Sequence, residues 1–102
     1  MTEFVRVCAQ SDLPQRGLVR EVSFEGRALC VANVDGVICV LDGTCPHEGG
    51  PLGEGTIENG RVVCPWHGYA FDVHTGDSED DPDVKAETLE AKVENAELRV
   101  KI

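Results

Sequence analysis

The chain has 102 residues, of which 19 are acidic and nine are basic, and its formal net charge is −10. This length accommodates one domain, so a second domain with a substrate pocket of its own is excluded. The acidic balance argues against nucleic acid and anionic membranes as partners, and it favours basic patches on other proteins.

Location is indicated by the N-terminus and the cysteines. The sequence has no apolar run of transmembrane length, and residues 1–10 lack the basic stretch and apolar core of a secretory signal. Five cysteines are an odd number. Cys8, Cys30 and Cys39 lie in or beside apolar runs, where reduced, packed thiols are the default. We therefore expect a cytoplasmic protein, and its charge favours a monomer.

The first part of the chain predicts short β-strands joined by tight turns. The predicted strands cover residues 4–8, 18–24, 27–34 and 37–41. Glu25-Gly26 and Asp35-Gly36 separate the last three of these strands. Asp-Gly between two apolar runs is a strong signal for a two-residue hairpin.

The centre of the chain changes character. Residues 42–59 contain five glycines and two prolines, which exclude long regular elements and predict structured loops. Asn59-Gly60 is a second hairpin signal ahead of a strand at 61–64, and residues 69–73 predict a returning strand.

An acidic segment, residues 77–83, predicts a turn and is either a solvated surface or a docking patch for a basic partner. In the tail, apolar residues alternate over 89–93 and over 98–102 on either side of Asn95-Ala96, which predicts a hairpin. The expected fold is all-β, with small antiparallel sheets and a lobe of central loops.

Two short motifs in the loop region carry metal-binding residues. Cys45-Pro46-His47 and Cys64-Pro65-Trp66-His67 are separated by sixteen residues. Two cysteines and two histidines are able to bind zinc or a [2Fe–2S] cluster with mixed ligands. Zinc fingers usually pair cysteine with cysteine and histidine with histidine, whereas each motif here contributes one of each. The pairing favours the iron–sulfur cluster and leaves a zinc-binding interaction module as an alternative.

This arrangement resembles the Rieske family, whose pattern is Cys-x-His followed by Cys-x-x-His. The matching segments read CPHEGG and CPWHGYAFDVHTG. The resemblance implies a single Rieske domain over residues 1–102, with a base portion formed by both chain ends and an inserted cluster-binding portion at about residues 44–69. It also implies one [2Fe–2S] cluster per chain, bound by Cys45, His47, Cys64 and His67. A third loop covers the cluster in this family, and Pro82 is the candidate for it.

Four positions distinguish the branches of this family. Gly50 and Trp66 occupy the places of two cysteines that form a disulfide in the Rieske proteins of cytochrome bc complexes. Tyr69 and Phe71 replace a serine and a tyrosine that donate hydrogen bonds to the cluster in that branch. Fewer donors stabilise the reduced cluster less well, so we predict a low midpoint potential of about −150 mV. Trp66 is interpreted as a residue that shields the cluster, with partner docking as the alternative.

The resemblance implies an electron-transfer component of an oxygenase system rather than an enzyme. Such ferredoxins carry one electron from a flavin-dependent reductase to a terminal ring-hydroxylating dioxygenase. The sequence has no Gly-rich dinucleotide fingerprint, so a nicotinamide or flavin is expected on a partner. The chain also resembles the small subunit of assimilatory nitrite reductase, which is the alternative function. His74 is predicted to be an exposed turn residue rather than a fifth ligand.

Overall fold

A computed structural model describes residues 3–47, 49–66 and 68–101. The described chain forms ten β-strands and two short 3-10 turns, Gln10–Asp12 and Leu52–Glu54. The strands are β1 Phe4–Ala9, β2 Val19–Phe24, β3 Arg27–Val34, β4 Val37–Asp42, β5 Thr56–Glu58, β6 Arg61–Val63, β7 Ala70–Asp72, β8 Thr88–Leu89, β9 Ala91–Glu94 and β10 Glu97–Lys101. The predicted all-β class is confirmed.

The strands form three antiparallel sheets. Their strand orders are β1-β10-β9, β2-β3-β4-β8 and β5-β6-β7. The first two sheets contain both ends of the chain, and we call them the base. The third sheet and the loops beside it come from the middle of the chain, and we call residues 44–72 the lobe. No helix in the described part of the chain is long and apolar enough to cross a membrane.

The hairpins form where the sequence predicts them. Asp35-Gly36 joins β3 to β4 with φ angles of 53° and 91°, and Asn59-Gly60 joins β5 to β6 with φ angles of 52° and 76°. Positive φ at both central residues is the requirement of the type I′ turn, which asparagine, aspartate and glycine meet at low cost. These dipeptides therefore favour two-residue turns by their backbone conformation, and the turns set the registers of the strands that they join.

The tail differs from its prediction in one respect. Asn95 and Ala96 turn the chain between β9 and β10, as expected. Leu89, however, lies in β8 and pairs with Val40 of β4, so it belongs to the other sheet of the base. The expectation that residue 89 opens the C-terminal hairpin is wrong, because Leu89 packs against the base core through β4 instead. Ile102 lies outside the described residues.

Two apolar cores lie on opposite faces of β3. Leu29 and Val31 pack in the base core with Leu98 of β10. Cys30 and Ala32, the alternating residues, pack in a second core that reaches into the lobe. All four β3 residues are fully buried. Since successive side chains of a strand point to opposite faces, a strand buried on both sides reads as a continuous apolar run.

The cysteines outside the two motifs are buried thiols. Within the described residues, Cys8, Cys30 and Cys39 form no disulfide. Burial raises the pKa of the Cys30 thiol to about 12, and the nearby charge of Glu21 acts in the same direction. These observations agree with the predicted packing role, because a thiol with a raised pKa is a poor nucleophile.

Candidate metal centre

The two metal-binding motifs fold into loops with the same backbone hydrogen bonds. In the first loop, residues 45–50, the Cys45 N–H donates to the Gly50 carbonyl over 2.8 Å, and the Gly49 N–H donates to the Cys45 carbonyl over 2.7 Å. In the second loop, residues 64–69, the Cys64 N–H donates to the Tyr69 carbonyl over 2.8 Å, and the Gly68 N–H donates to the Cys64 carbonyl over 3.0 Å. In each loop, the backbone N–H and carbonyl of the cysteine thus form the two hydrogen bonds that close the loop.

Glycine makes this shared turn possible. Gly49 and Gly68 hold the fifth position of their loops, with φ angles of 79° and 77°. Left-handed backbone of this kind is strained for most other residues. The sequence places the two cysteines at equivalent positions of two equivalent turns, although the histidine is the third residue of the first loop and the fourth of the second.

The two loops meet at Gly50. A Cβ atom on this residue would lie 2.9 Å from Cγ of Trp66 and 3.0 Å from Sγ of Cys64. Any larger residue here would therefore force Trp66 or Cys64 to shift, because Cβ atoms rarely make such close contacts. The Gly50 carbonyl also accepts the Cys45 N–H, so one residue contacts both cysteines of the candidate centre. Gly50 and Trp66 are also the two residues that the resemblance puts in the place of the disulfide cysteines of the cytochrome bc branch.

The cysteines are buried and the indole beside them is exposed. Cys45 and Cys64 are 2% and 3% exposed and lie in the same apolar core. Trp66 packs over Gly50 and is nevertheless 57% exposed. It therefore presents apolar surface to a partner as well as covering Gly50, so both predicted roles of the indole stay open.

The imidazole of His47 stacks on the ring of Tyr69. Their ring centroids are 3.8 Å apart and their planes differ by 10°. His47 belongs to the first loop and Tyr69 ends the second, so the stack joins the loops by side chains. The structure thus places Cys45, His47 and Cys64 on two adjoining loops. Among the described residues, no three His, Cys, Asp or Glu side chains are grouped closely enough to hold one metal ion. His67, the fourth predicted ligand, lies outside the described residues.

The first loop is anchored to the base. The carboxylate of Asp42 accepts the Thr44 N–H over 2.8 Å and the guanidinium of Arg27 over 3.1 Å. The Gly43 N–H donates to the carbonyl of Ala28 over 2.9 Å. A Cβ atom on Gly43 would lie 2.8 Å from that carbonyl, so β3 and the start of the loop approach closely.

The second loop is anchored by the acidic segment, residues 77–83. The Asp80 carboxylate accepts the Ala70 N–H, directly after Tyr69, over 2.9 Å. Part of the segment is thus structural, which the sequence analysis did not anticipate. Pro82 is exposed. Its assignment to the covering loop stays a prediction, now supported by the contact of the same segment with residue 70.

The turn after β7 is held by a side chain of its own strand. The N–H groups of His74 and Thr75 donate to the carboxylate of Asp72 and hold the pKa of that carboxyl below its usual value. His74 itself is exposed, as predicted. It lies in a surface turn outside the two ligand loops.

The described donors fit a [2Fe–2S] cluster with mixed ligands. Both cysteines are buried in one apolar core and meet the same glycine, Cys45 through its backbone N–H and Cys64 through its sulfur. An imidazole stacked on an aromatic ring lies at the loop boundary. Thiolate and imidazole are the ligand types of this cluster. Glycine in both loops lets the backbone approach a compact inorganic group.

Comparison with protein families gives one assignment. Residues 3–97 match the model of the Rieske [2Fe–2S] domain. Apoptosis-inducing factor 3 of Homo sapiens is 36% identical over 96 residues, which are 93% of this chain and 16% of that protein. The chain therefore spans only a small part of that relative. Ferredoxin CarAc of Metapseudomonas resinovorans is 36% identical over 99 residues, which are 95% of this chain and 92% of the relative.

Solved structures show the same fold. A complex of reduced oxygenase and oxidised ferredoxin in carbazole 1,9a-dioxygenase contains a chain with 35% identity and a TM-score of 0.82, and the match covers 96% of this chain and 92% of that one. The small subunit of a nitrite reductase from Mycobacterium tuberculosis, described as NADH-dependent, has a TM-score of 0.86 over 100% of this chain and 96% of its own. Its identity is 21%, so it supports the fold alone.

Proposed function

Because the chain belongs to the Rieske [2Fe–2S] domain family, we propose that Cys45, His47, Cys64 and His67 bind its single cluster. In this assignment the two cysteines bind one iron and the two histidines bind the other. The observation that carries the proposal is the pair of matching loops, which bring both cysteines against Gly50. The zinc alternative is set aside, because the family is defined by the iron–sulfur cluster.

When bound, the cluster would supply one-electron redox chemistry. The chain's own residues keep both cysteines out of water and leave Trp66 and the edge of the loops open to a partner. A centre near the surface suits a carrier, since it lets a partner approach the ligand loops. We propose that the protein is a one-electron carrier with no catalytic site of its own.

The proposed partners are a flavin-dependent reductase and a terminal ring-hydroxylating oxygenase. This chain matches nearly the whole length of ferredoxin CarAc. The carbazole 1,9a-dioxygenase structure is a complex of a ferredoxin with an oxygenase. The net charge of −10 favours basic docking surfaces and transient, salt-sensitive encounters. A carrier of this kind is monomeric and cytoplasmic, and its cluster-binding portion spans about residues 44–69.

Spectroscopy and metal analysis test the cluster assignment. The purified protein is expected to be red-brown, to contain about two irons and two sulfides per chain, and to give a rhombic EPR signal after reduction by dithionite. Cys64→Ser and His67→Leu are expected to lose this signal. His74→Leu is the matched control, because His74 lies outside both loops, and it should keep the signal. A colourless wild-type protein that retains zinc after anaerobic purification would refute the assignment.

A redox titration tests the predicted low potential. Tyr69 and Phe71 replace two donors of the high-potential branch, and Phe71 is fully buried with no polar group to offer. We expect a midpoint of about −150 mV. A midpoint above about +100 mV, in the upper part of the Rieske range, would contradict the prediction.

A subunit of a nitrite reductase-like complex is the second candidate function, which rests on the resemblance of the sequence to such subunits. The fold match over the full chain agrees with it and shows the fold alone. The two candidates differ in the stability of their complexes. A permanent subunit buries a large apolar interface, whereas a carrier binds weakly. Size-exclusion chromatography of the holoprotein, alone and with a catalytic nitrite reductase subunit or a terminal oxygenase, separates them. A stable, coeluting complex with the reductase subunit would favour the second candidate.

A further inference from the structure

We infer that Tyr69 is a positioning residue that fixes the plane of the His47 imidazole and links the first loop to the second. The inference rests on the proposed binding of the cluster by His47. It goes further by assigning a role to a residue that donates no ligand atom.

Tyr69 contacts both loops by different parts of one residue. Its backbone carbonyl accepts the N–H of Cys64 over 2.8 Å and closes the second loop. Its ring lies nearly parallel to His47 of the first loop, at 3.8 Å between centroids. A displacement of Tyr69 therefore moves a hydrogen bond at one proposed ligand and a ring contact at another.

Tyr69 is itself held in place. Its ring is partly buried and packs against the core that contains Cys45 and Cys64. The ring of Phe71, fully buried, lies 6.5 Å away between centroids. The next residue, Ala70, donates its N–H to the Asp80 carboxylate. Because Tyr69 is fixed by the core, its ring restricts the movement of the His47 imidazole that stacks on it.

The physical need for such a residue follows from the histidine side chain. The torsion between Cβ and the imidazole ring has a broad energy profile, so the ring plane of a loop histidine is weakly fixed by its own backbone. A parallel aromatic ring restricts that torsion and covers one face of the imidazole. Ligand orientation is a known determinant of the properties of a metal centre, and groups that touch only the ligands control it.

The test compares three variants in the cluster-loaded protein. Tyr69→Phe keeps the ring face, Tyr69→Leu removes it, and Phe24→Leu removes an aromatic ring that packs against the base core instead. The readouts are the ¹⁴N couplings of the histidine ligands by pulsed EPR of the reduced protein, and the rate of cluster loss to an iron chelator. These readouts need no partner protein and no oxygenase activity.

Tyr69→Leu is expected to change the ¹⁴N couplings of one histidine and to speed cluster loss between about twofold and tenfold, as loss of a stacked aromatic pair predicts. Tyr69→Phe should match the wild type in both readouts. Phe24→Leu should lower thermal stability and leave the couplings unchanged. If Tyr69→Leu does not fold, Tyr69→Met, which is also apolar and lacks a ring, replaces it.

Two results would overturn the inference. Unchanged couplings and an unchanged rate of cluster loss in Tyr69→Leu would show that the ring does not position His47. Equal disturbance in Tyr69→Phe and Tyr69→Leu would assign the effect to the hydroxyl rather than to the ring face. Both results presuppose a wild-type protein with its cluster. A wild type without the cluster would instead refute the proposed function.

Discussion

The base and the lobe are stabilised in different ways. The base consists of two sheets with regular strand pairing and a core of aliphatic side chains such as Leu29 and Leu98. The ligand loops of the lobe are held by single backbone hydrogen bonds, by glycines that permit close contact, and by one ring stack. The comparison indicates that the base folds on its apolar core, whereas the loops share the second core and depend further on individual contacts and on the cluster that we propose they bind.

The largest expected effect in the lobe comes from Gly50→Ala. The new methyl group would collide with Trp66 and with the sulfur of Cys64, and overpacking of this kind costs about 1–3 kcal/mol. Because the collision falls between the two ligand loops, we expect most of the cluster to be lost while the β-sheet signal in circular dichroism stays. Iron content and circular dichroism measure the two effects.

Gly26→Ala is the control for this substitution. Gly26 has a φ of 80°, and a Cβ atom there would have no heavy atom within 4 Å. Backbone strain costs about 1–2 kcal/mol at such a position, so the stability loss is comparable. Full cluster content in Gly26→Ala and low content in Gly50→Ala are expected. Equal content in both variants would contradict the steric account of the loop contact.

The largest expected effect in the base comes from Leu98→Ala. Leu98 is fully buried in the base core. Its truncation should lower the free energy of unfolding by about 2–5 kcal/mol, as measured by urea denaturation. We expect the EPR spectrum of the folded variant to remain that of the wild type. An altered spectrum would show that the cluster site senses the base core, against the comparison drawn above.

A smaller effect is expected from Asp80→Ala. This substitution removes the carboxylate that accepts the Ala70 N–H beside the second loop. The bond lies at the surface, so its loss should cost about 1 kcal/mol and should speed cluster loss. Asp83→Ala makes the same change of charge in the same segment, at another exposed residue. If both variants lose the cluster at the same rate, the effect is one of charge rather than of the hydrogen bond.

The smallest effect at neutral pH concerns Cys30. Burial raises the pKa of its thiol to about 12, well above the usual value of about 9. A raised pKa in the folded state means that the contribution to stability is complete below about pH 9 and is lost as pH rises towards 12. The loss should be about 1 kcal/mol between pH 9 and pH 10.

Urea denaturation at pH 7, 9 and 10 checks this expectation in the wild type and in Cys30→Ala. The comparison is of slopes against pH, so the cost of the small cavity in the variant cancels. A shallower decline in Cys30→Ala is expected. Parallel curves would show that another group controls the alkaline limit.

The structural features that the sequence predicts best are those that depend on neighbouring residues. Asp35-Gly36 and Asn59-Gly60 predict their hairpins because the positive φ angles of the turn select those residues. The two ligand motifs were found from their composition and spacing. The assignment of residues 45, 47, 64 and 67 as ligands stays a prediction.

Contacts between distant segments were not predictable in this way. The stack of His47 on Tyr69 and the bond from Ala70 to Asp80 join residues whose proximity depends on how the loops meet. The pairing of Leu89 with Val40 was missed for the same reason, since alternation along the tail fits either sheet. The available signal for the stack was an aromatic residue, Tyr69, directly after His67-Gly68. Comparison with the serine of the other branch predicts only the loss of a hydrogen-bond donor at this position, not a ring contact.

Because β3 is buried on both faces, its backbone amides should be the last to exchange with deuterium. β3 is hydrogen-bonded along both edges. On one edge it pairs with β2, where Leu29 lies opposite Val22, and on the other with β4, where Val31 lies opposite Val40. Exchange from β3 requires both cores to open, whereas exchange from β9 or β5 requires only a local opening. A probe amide in β3 therefore reports the global unfolding of the molecule. Its exchange rate in variants of either core would measure how far a change in one core lowers the stability of the other.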